Sequence, residues 1–264
     1  MYQTIKNMST FTINERFDFL TAMVSMVAKG KTPSAIITGA GGLGKTFTVQ
    51  QTLKSLNLKN VSNVDDFDDS YELSNAHKCY RFIKGYSTAK ALYKTLYKNN
   101  GATIVFDDCD NVLKDKVGIN ILKSALDSYD TRMISWKNSL TATENHWLPS
   151  CFEFTGNVIF ISNLDMNNIP QPLRSRALCV DVSMSKSEKF ERMGTIIKSK
   201  EFMPEVTMLQ KRQAFNELKK HNRRLNELSL RTLVSACKIR NAGGTKWKQL
   251  LEYSLVTQTI NNKQ

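Results

Sequence analysis

Little in this sequence could tie its parts together covalently or through a metal. The five cysteines among 264 residues are Cys79, Cys109, Cys151, Cys179 and Cys237, an odd number with no CxxC pair. That argues against a disulfide framework or a zinc site and fits a reducing compartment. Histidine is scarcer still: His77, His146 and His221 lie far apart, so no His/Cys or Ser/His nucleophile constellation is visible. No uninterrupted apolar run approaches the ~18–20 residues of a membrane span. The first twenty residues lack the basic-then-apolar order of a signal peptide. Acidic charge is also short, with 24 Asp and Glu against 37 Lys and Arg, a net charge of +13. The expectation is a soluble, cytoplasmic protein with no membrane partner. Its basic excess favours a polyanion, nucleic acid first. There is no internal repeat and no low-complexity segment.

Hydrophobic spacing divides the chain in two. Phe17, Leu20, Met23, Val24 and Val27 recur at helical intervals before "GKTP" breaks the pattern. "SAIIT", "KCYRFI", "ATIVFDD", "NVIFISN" and "ALCVDVSM" read as strands. Helical stretches such as "STAKALYKTLYKNN", with Ser87 as N-cap, and "GINILKSALDSY" alternate with them. "RMISW" and "CFEF" read as a hairpin or an extended excursion around "KNSLTATENHWLPS". The acidic connection Val61–Asn75 reads as a solvated loop, because no Gly or Glu stands at calcium-loop spacing. From about Lys186 only charged helical patterns remain. This predicts an α/β fold: a three-layer domain with a parallel sheet over residues 1–184, then a small helical lid over 185–264.

Gly39-x-x-x-x-Gly44-Lys45-Thr46 fits G-x-x-x-x-G-K-[ST] between a strand and a helix. Such a P-loop turns backbone N–H groups inward around phosphates and aims a helix N-terminus at them. Gly39, Ala40, Gly41, Gly42, Leu43, Gly44, Lys45, Thr46 and Phe47 are therefore the candidate nucleotide contacts. Lys45 would reach the β- and γ-phosphates, and Thr46 would ligate Mg²⁺. "TIVFDD" ends a buried strand in two carboxylates. Asp107 is the second candidate Mg²⁺ ligand. Asp108 is the candidate base, with Asp110 in reserve. No guanine-reading N-K-x-D motif is present, which tilts the nucleotide towards ATP.

In these motifs and their order the chain resembles the AAA+ ATPases, from roughly Thr32 to Lys238. "NVIFISN" is similar to the sensor 1 strand, which makes Asn163 the residue orienting the attacking water. "PLRSRALCVDVSMS" resembles the arginine-finger segment of clamp-loader ATPases. Ser175 and Arg176 match the Ser-Arg-Cys box, and Ala177 departs from it. Arg176 is then the finger and Arg174 the reserve. "ELSLRTLVSA" resembles sensor 2, with Arg231 reaching the nucleotide. The family would place the adenine pocket near Phe11 to Phe17. An aspartate at position 108, where the family commonly has glutamate, is shorter and would hold the base farther from the water.

The resemblance implies a homo-oligomeric ring or spiral, with a hexamer among the sizes left open, in which a finger acts on the neighbour's ATP. It places Lys84, Gly85 and Tyr86 on a channel loop, where Tyr86 would stack on a base or grip a peptide. "KKHNRRL", Lys219 to Leu225, is either a track for a nucleic-acid backbone or a solvated helical face. Three functions remain open. The first is an ATP- and Mg²⁺-dependent machine remodelling or loading on DNA, similar to the small AAA+ helicase-loader and clamp-loader proteins of tailed bacteriophages. The second is a remodeller with a protein partner. The third is a nucleotide-gated scaffold with little turnover.

Overall fold

The computed structural model describes residues 10–63, 75–85, 88–127, 131–136, 148–225 and 227–256. They form two compact units. One comprises the described residues within Glu15–Ala40 and Lys45–Ser183, and the other those within Met1–Asn14, Gly41–Gly44 and Met184–Gln264. No described helix is long and apolar enough to cross a membrane.

The first unit is built on a six-stranded sheet in the order β2-β3-β4-β7-β1-β8. Its strands are β1 (Ser34–Thr38), β2 (Lys59–Asn60), β3 (Cys79–Lys84), β4 (Thr103–Asp107), β7 (Asn157–Ile161) and β8 (Leu178–Asp181). Every described pairing between them is parallel. The sequence reason is plain in β1 and β4, whose five residues are all buried. A strand covered on both faces needs a continuous apolar run rather than alternation. Helix α1 (Ile13–Ala28) precedes β1, and α2 (Lys45–Ser55), α3 (Ala89–Lys98), α4 (Lys116–Ala125) and the single turn α5 (Gln171–Arg174) lie in connections between strands.

One face carries an extensive core. Ile104 and Phe106 of β4 and Val158 and Phe160 of β7 pack with Leu92, Tyr93 and Leu96 of α3 and Ile121, Leu122 and Ala125 of α4. Phe106 and Phe160 stack with centroids 4.9 Å apart. The alternate side chains Ala35, Ile37, Val105 and Ile159 are fully buried too, so both faces are covered. The hairpin reading holds: β5 (Met133–Ser135) and β6 (Cys151–Glu153) pair antiparallel, and Ile134 and Phe152 join the same core.

The second unit is helical: α6 (Lys186–Ile196), α7 (Met208–Lys220), α8 (Leu230–Ala242) and α9 (Trp247–Leu251), which continues as a wider turn over Glu252–Val256. Phe190, Met193, Phe215, Leu218, Leu233, Ala236, Trp247 and Leu251 form its core. Three of these helices open with a capping box, at Ser185, Thr207 and Ser229. Each box satisfies backbone N–H groups that the first turn leaves open.

Some features differ from the sequence reading or escaped it. The edge strand β2 has two exposed residues and no hydrophobic signature. Ser87, expected to cap α3, lies outside the described residues. Thr88 caps the helix, its hydroxyl accepting the Ala91 N–H at 3.1 Å. Most of the acidic connection, residues 64–74, and residues 137–147 also lie outside the described set.

Candidate functional site

Three strands of the first unit end at one edge of the sheet, and each carries a candidate residue just beyond its end. The P-loop follows β1, Asp107 and Asp108 close β4, and Asn163 follows β7. Because β7 lies between β1 and β4, the chain order reverses there. Such a switch point at the carboxyl ends of parallel strands opens a crevice for ligands.

The P-loop backbone needs its glycines. Gly39 has φ 137°, and a Cβ there would stand 3.1 Å from the Ser183 nitrogen. Gly44 has φ 93°, and its Cβ would meet Leu230 at 2.9 Å. The segment Gly41–Gly44 belongs to the helical unit, where the Leu230 N–H donates to the Gly42 carbonyl at 2.8 Å.

Lys45 is buried at the start of α2. Its ammonium donates to the Gly39 and Ala40 carbonyls and, at 2.9 Å, to Asn163 Oδ1. Asn163 Nδ2 in turn donates to Asp108 Oδ1. The Asn163 backbone N–H donates to Asp110 Oδ2 at 3.3 Å. Lysine, amide and carboxylate thus form one chain of contacts across three strand ends. Asp108 has φ 58°, a left-handed conformation that few non-glycine residues adopt and that marks functional sites.

Beside this chain, the Thr46 hydroxyl donates to the Asp107 carboxylate, 3.0 and 3.1 Å from its two oxygens. Asp107 is only 5% exposed. Burial raises its pKa; the Thr46 hydroxyl opposes that, Asp108 adds to it, and Lys84 and Lys45 oppose it. A buried carboxylate beside a hydroxyl is an all-oxygen donor set. It fits Mg²⁺, which takes one or two carboxylates and completes its shell with water and phosphate oxygens. Among the described residues no cluster of three His, Cys, Asp or Glu side chains offers a fuller cage. The neighbouring Cys109 thiol is buried and pushed up to about 11, chiefly by desolvation, which leaves it unreactive.

The structure therefore brings Lys45, Thr46, Asp107, Asp108 and Asn163 together, and adds two residues whose placement the sequence did not indicate. Asp110, the reserve base, holds the backbone of Asn163 instead. Lys84, expected on a channel loop, puts its ammonium 3.9 Å from Asp107 Oδ2 although it is 65% exposed. The signal was the β3–β4 register, in which Lys84 stands opposite Asp107. The Gly85 N–H donates to the Asp107 carbonyl at 3.2 Å, and Tyr86 lies outside the described residues. Leu43 is buried, while Phe47 is 57% exposed on the first turn of α2.

The arginines are less concentrated. Arg176 donates to the Pro172 carbonyl at 2.9 Å and lies 3.7 Å from Asp127, so it is engaged within its own chain. Arg174 has a buried Nε without a hydrogen-bond partner among the described residues. Arg231 is exposed near the start of α8, in the helical unit. The proposed adenine region divides: Phe11 is exposed and Phe17 is core.

Comparison with known proteins adds little chemistry. No family model matches the chain. An uncharacterized 36.7 kDa protein from the nrdC–mobD intergenic region of Enterobacteria phage T4 is 27% identical over 242 residues. That match covers 84% of this chain and 68% of the phage protein. Among solved structures, a RuvB mutant of Thermotoga maritima is similar with a TM-score of 0.45 and 10% identity, over 86% of this chain and 68% of that one.

Proposed function

We propose that this chain is an AAA+ ATPase that couples ATP binding and hydrolysis to remodelling or loading on DNA, as an oligomeric ring or spiral. The observation that carries the reading is the convergence of Lys45 and Thr46 after β1, Asp107 and Asp108 at the end of β4, and Asn163 after β7, at the carboxyl ends of three neighbouring strands.

The roles follow from the contacts. Lys45 exchanges its carbonyl acceptors for phosphate oxygens when a nucleotide enters. Thr46 and Asp107 would hold Mg²⁺, whose charge neutralises the β- and γ-phosphates. Asp108 accepts a proton from the attacking water, and Asn163 holds both that carboxylate and the ammonium of Lys45 in register. Arg176 acts as a finger only after leaving Asp127 and Pro172 for a neighbour's nucleotide. Arg231 is the candidate second sensor. The domain boundary near residue 184 separates nucleotide-binding and lid domains in this reading.

The test is ATP turnover by the purified protein across protein concentration, with and without single-stranded and duplex DNA. Turnover that rises faster than in proportion to concentration, rises again with DNA, and collapses in Arg176→Ala is the expected result. Turnover indifferent to DNA would redirect the reading to a protein substrate. A second reading, a nucleotide-gated scaffold, is favoured by the short Asp108 side chain already bound to Asn163. It predicts tight ATP binding with no turnover under any of these conditions.

A further inference from the structure

The positive charge of the molecule is unevenly placed. Residues 184–264 contain seventeen Lys and Arg and seven Asp and Glu, so ten of the thirteen net positive charges lie in that third of the chain. Within the helical unit, the sequence run "KKHNRRL" does not act as one patch. Glu217 is buried and takes Lys220 at 3.2 Å and His221 at 3.5 Å. Glu252 takes Arg224 at 2.5 Å. Those positions are locally compensated.

What remains outward is a different set. Arg212, Asn216 and Lys219 are exposed at intervals of four and three along α7, and exposed Arg223 follows four residues later in the turn after it. Arg212, Lys219 and Arg223 make no ion pair among the described residues. Glu217 is the only acidic residue of α7, and it points inward. Lys219 lies 4.9 Å above the Phe215 ring, which steadies its stem without neutralising its charge. From Arg212 to Lys219 the helix rises about 10 Å at 1.5 Å per residue. Tyr253, an aromatic 68% exposed, directly follows the Glu252 that Arg224 ties to this turn.

We infer that the Arg212–Asn216–Lys219–Arg223 stripe of α7 is a docking surface for the phosphate backbone of a nucleic acid. A row of unpaired cations with an amide donor among them is what phosphate tracking requires. From Arg212 to Arg223 the stripe presents only polar side chains, and the exposed Met208 and Leu209 stand at its end rather than at the centre that a protein–protein interface would bury, where lysine is depleted. Tyr253 adds a stacking platform of the kind that favours single strands. The inference rests on the DNA arm of the function proposed above. It assigns that contact to the lid rather than to the loop after β3.

The test uses the full chain and two labelled probes, an oligothymidylate and a duplex of equal length, in anisotropy titrations across salt. The variant is Arg212→Gln/Lys219→Gln/Arg223→Gln. The control, Lys29→Gln/Lys54→Gln/Lys116→Gln, removes the same charge from the other unit. Each lost phosphate contact flattens the slope of log K against log salt by about 0.7 on a single strand. The stripe variant should therefore bind with a slope shallower by about 2 on the same scale, with an unchanged melting temperature, while the control keeps the parent slope. Equal slopes for the two variants would overturn the assignment, because only diffuse charge would then matter. So would equal, stripe-dependent capture of polyglutamate, which would mark an acidic protein as the partner. A parent that binds neither probe would overturn both this inference and the DNA arm. ATP turnover without DNA, measured on the same preparation, reports separately on the ATPase reading.

Discussion

At the scale of single residues, Asn163 is the hub. It bonds Lys45 and Asp108 through its side chain and Asp110 through its backbone. Asn163→Ala should lower kcat by about 10²-fold, the scale for removal of one preorganised polar group. KM should change far less, which steady-state ATPase kinetics will show. Asp107 makes a prediction about stability. Its pKa is raised in the folded protein, so the native state binds its proton more tightly than the unfolded chain does. Its ionisation therefore costs stability as pH rises through and above the ordinary carboxylate range near 4. Asp107→Asn should melt higher than the parent at pH 7.5, by about 2–4 °C for each kcal/mol relieved. The gain should shrink as pH falls through the carboxylate range, in thermal scans without nucleotide.

At the scale of elements, the candidate site was legible wherever one short segment carried both its fold and its chemistry. "SAIITGAGGLGKT" declares a buried strand, a glycine loop and a helix start in thirteen residues. "TIVFDD" and "NVIFISN" show buried strands with polar ends for the same reason. What could not be read depends on pairing between segments. The Lys84 contact with Asp107 follows from the β3–β4 register. Asp127, the partner of Arg176, lies 49 residues before it in sequence, and no periodicity links the two. The basic run of α7 was visible, but which of its members already have acidic partners was not. Two element-level substitutions check the local geometry. Gly44→Ala demands a left-handed backbone at a residue with a Cβ, worth about 1–2 kcal/mol, and crowds Leu230. Nucleotide binding by titration should be lost with it. Ser229→Ala removes the N-cap of α8 and should cost about 1 kcal/mol, read as a lower denaturation midpoint.

At the scale of the whole molecule, ligand linkage gives a test that needs no turnover. A ligand that binds only the folded state stabilises it by about 2.7 kcal/mol at a hundredfold excess over Kd. Saturating ATP with Mg²⁺ should raise the melting temperature of the parent accordingly and leave Lys45→Ala unmoved. GTP in the same assay checks the choice of base. The sheet also has a consequence for how the chain is made. The described partners of β1 are β7 and β8 alone, and Ile37 meets Ile161, 124 positions further along the chain. At about 5–20 residues per second on the ribosome, this apolar strand waits roughly 6–25 seconds for its first neighbour. The segment that carries the phosphate loop thus waits without its sheet neighbours while the intervening strands and helices are made. During that interval its apolar face is a surface that a chaperone would shelter.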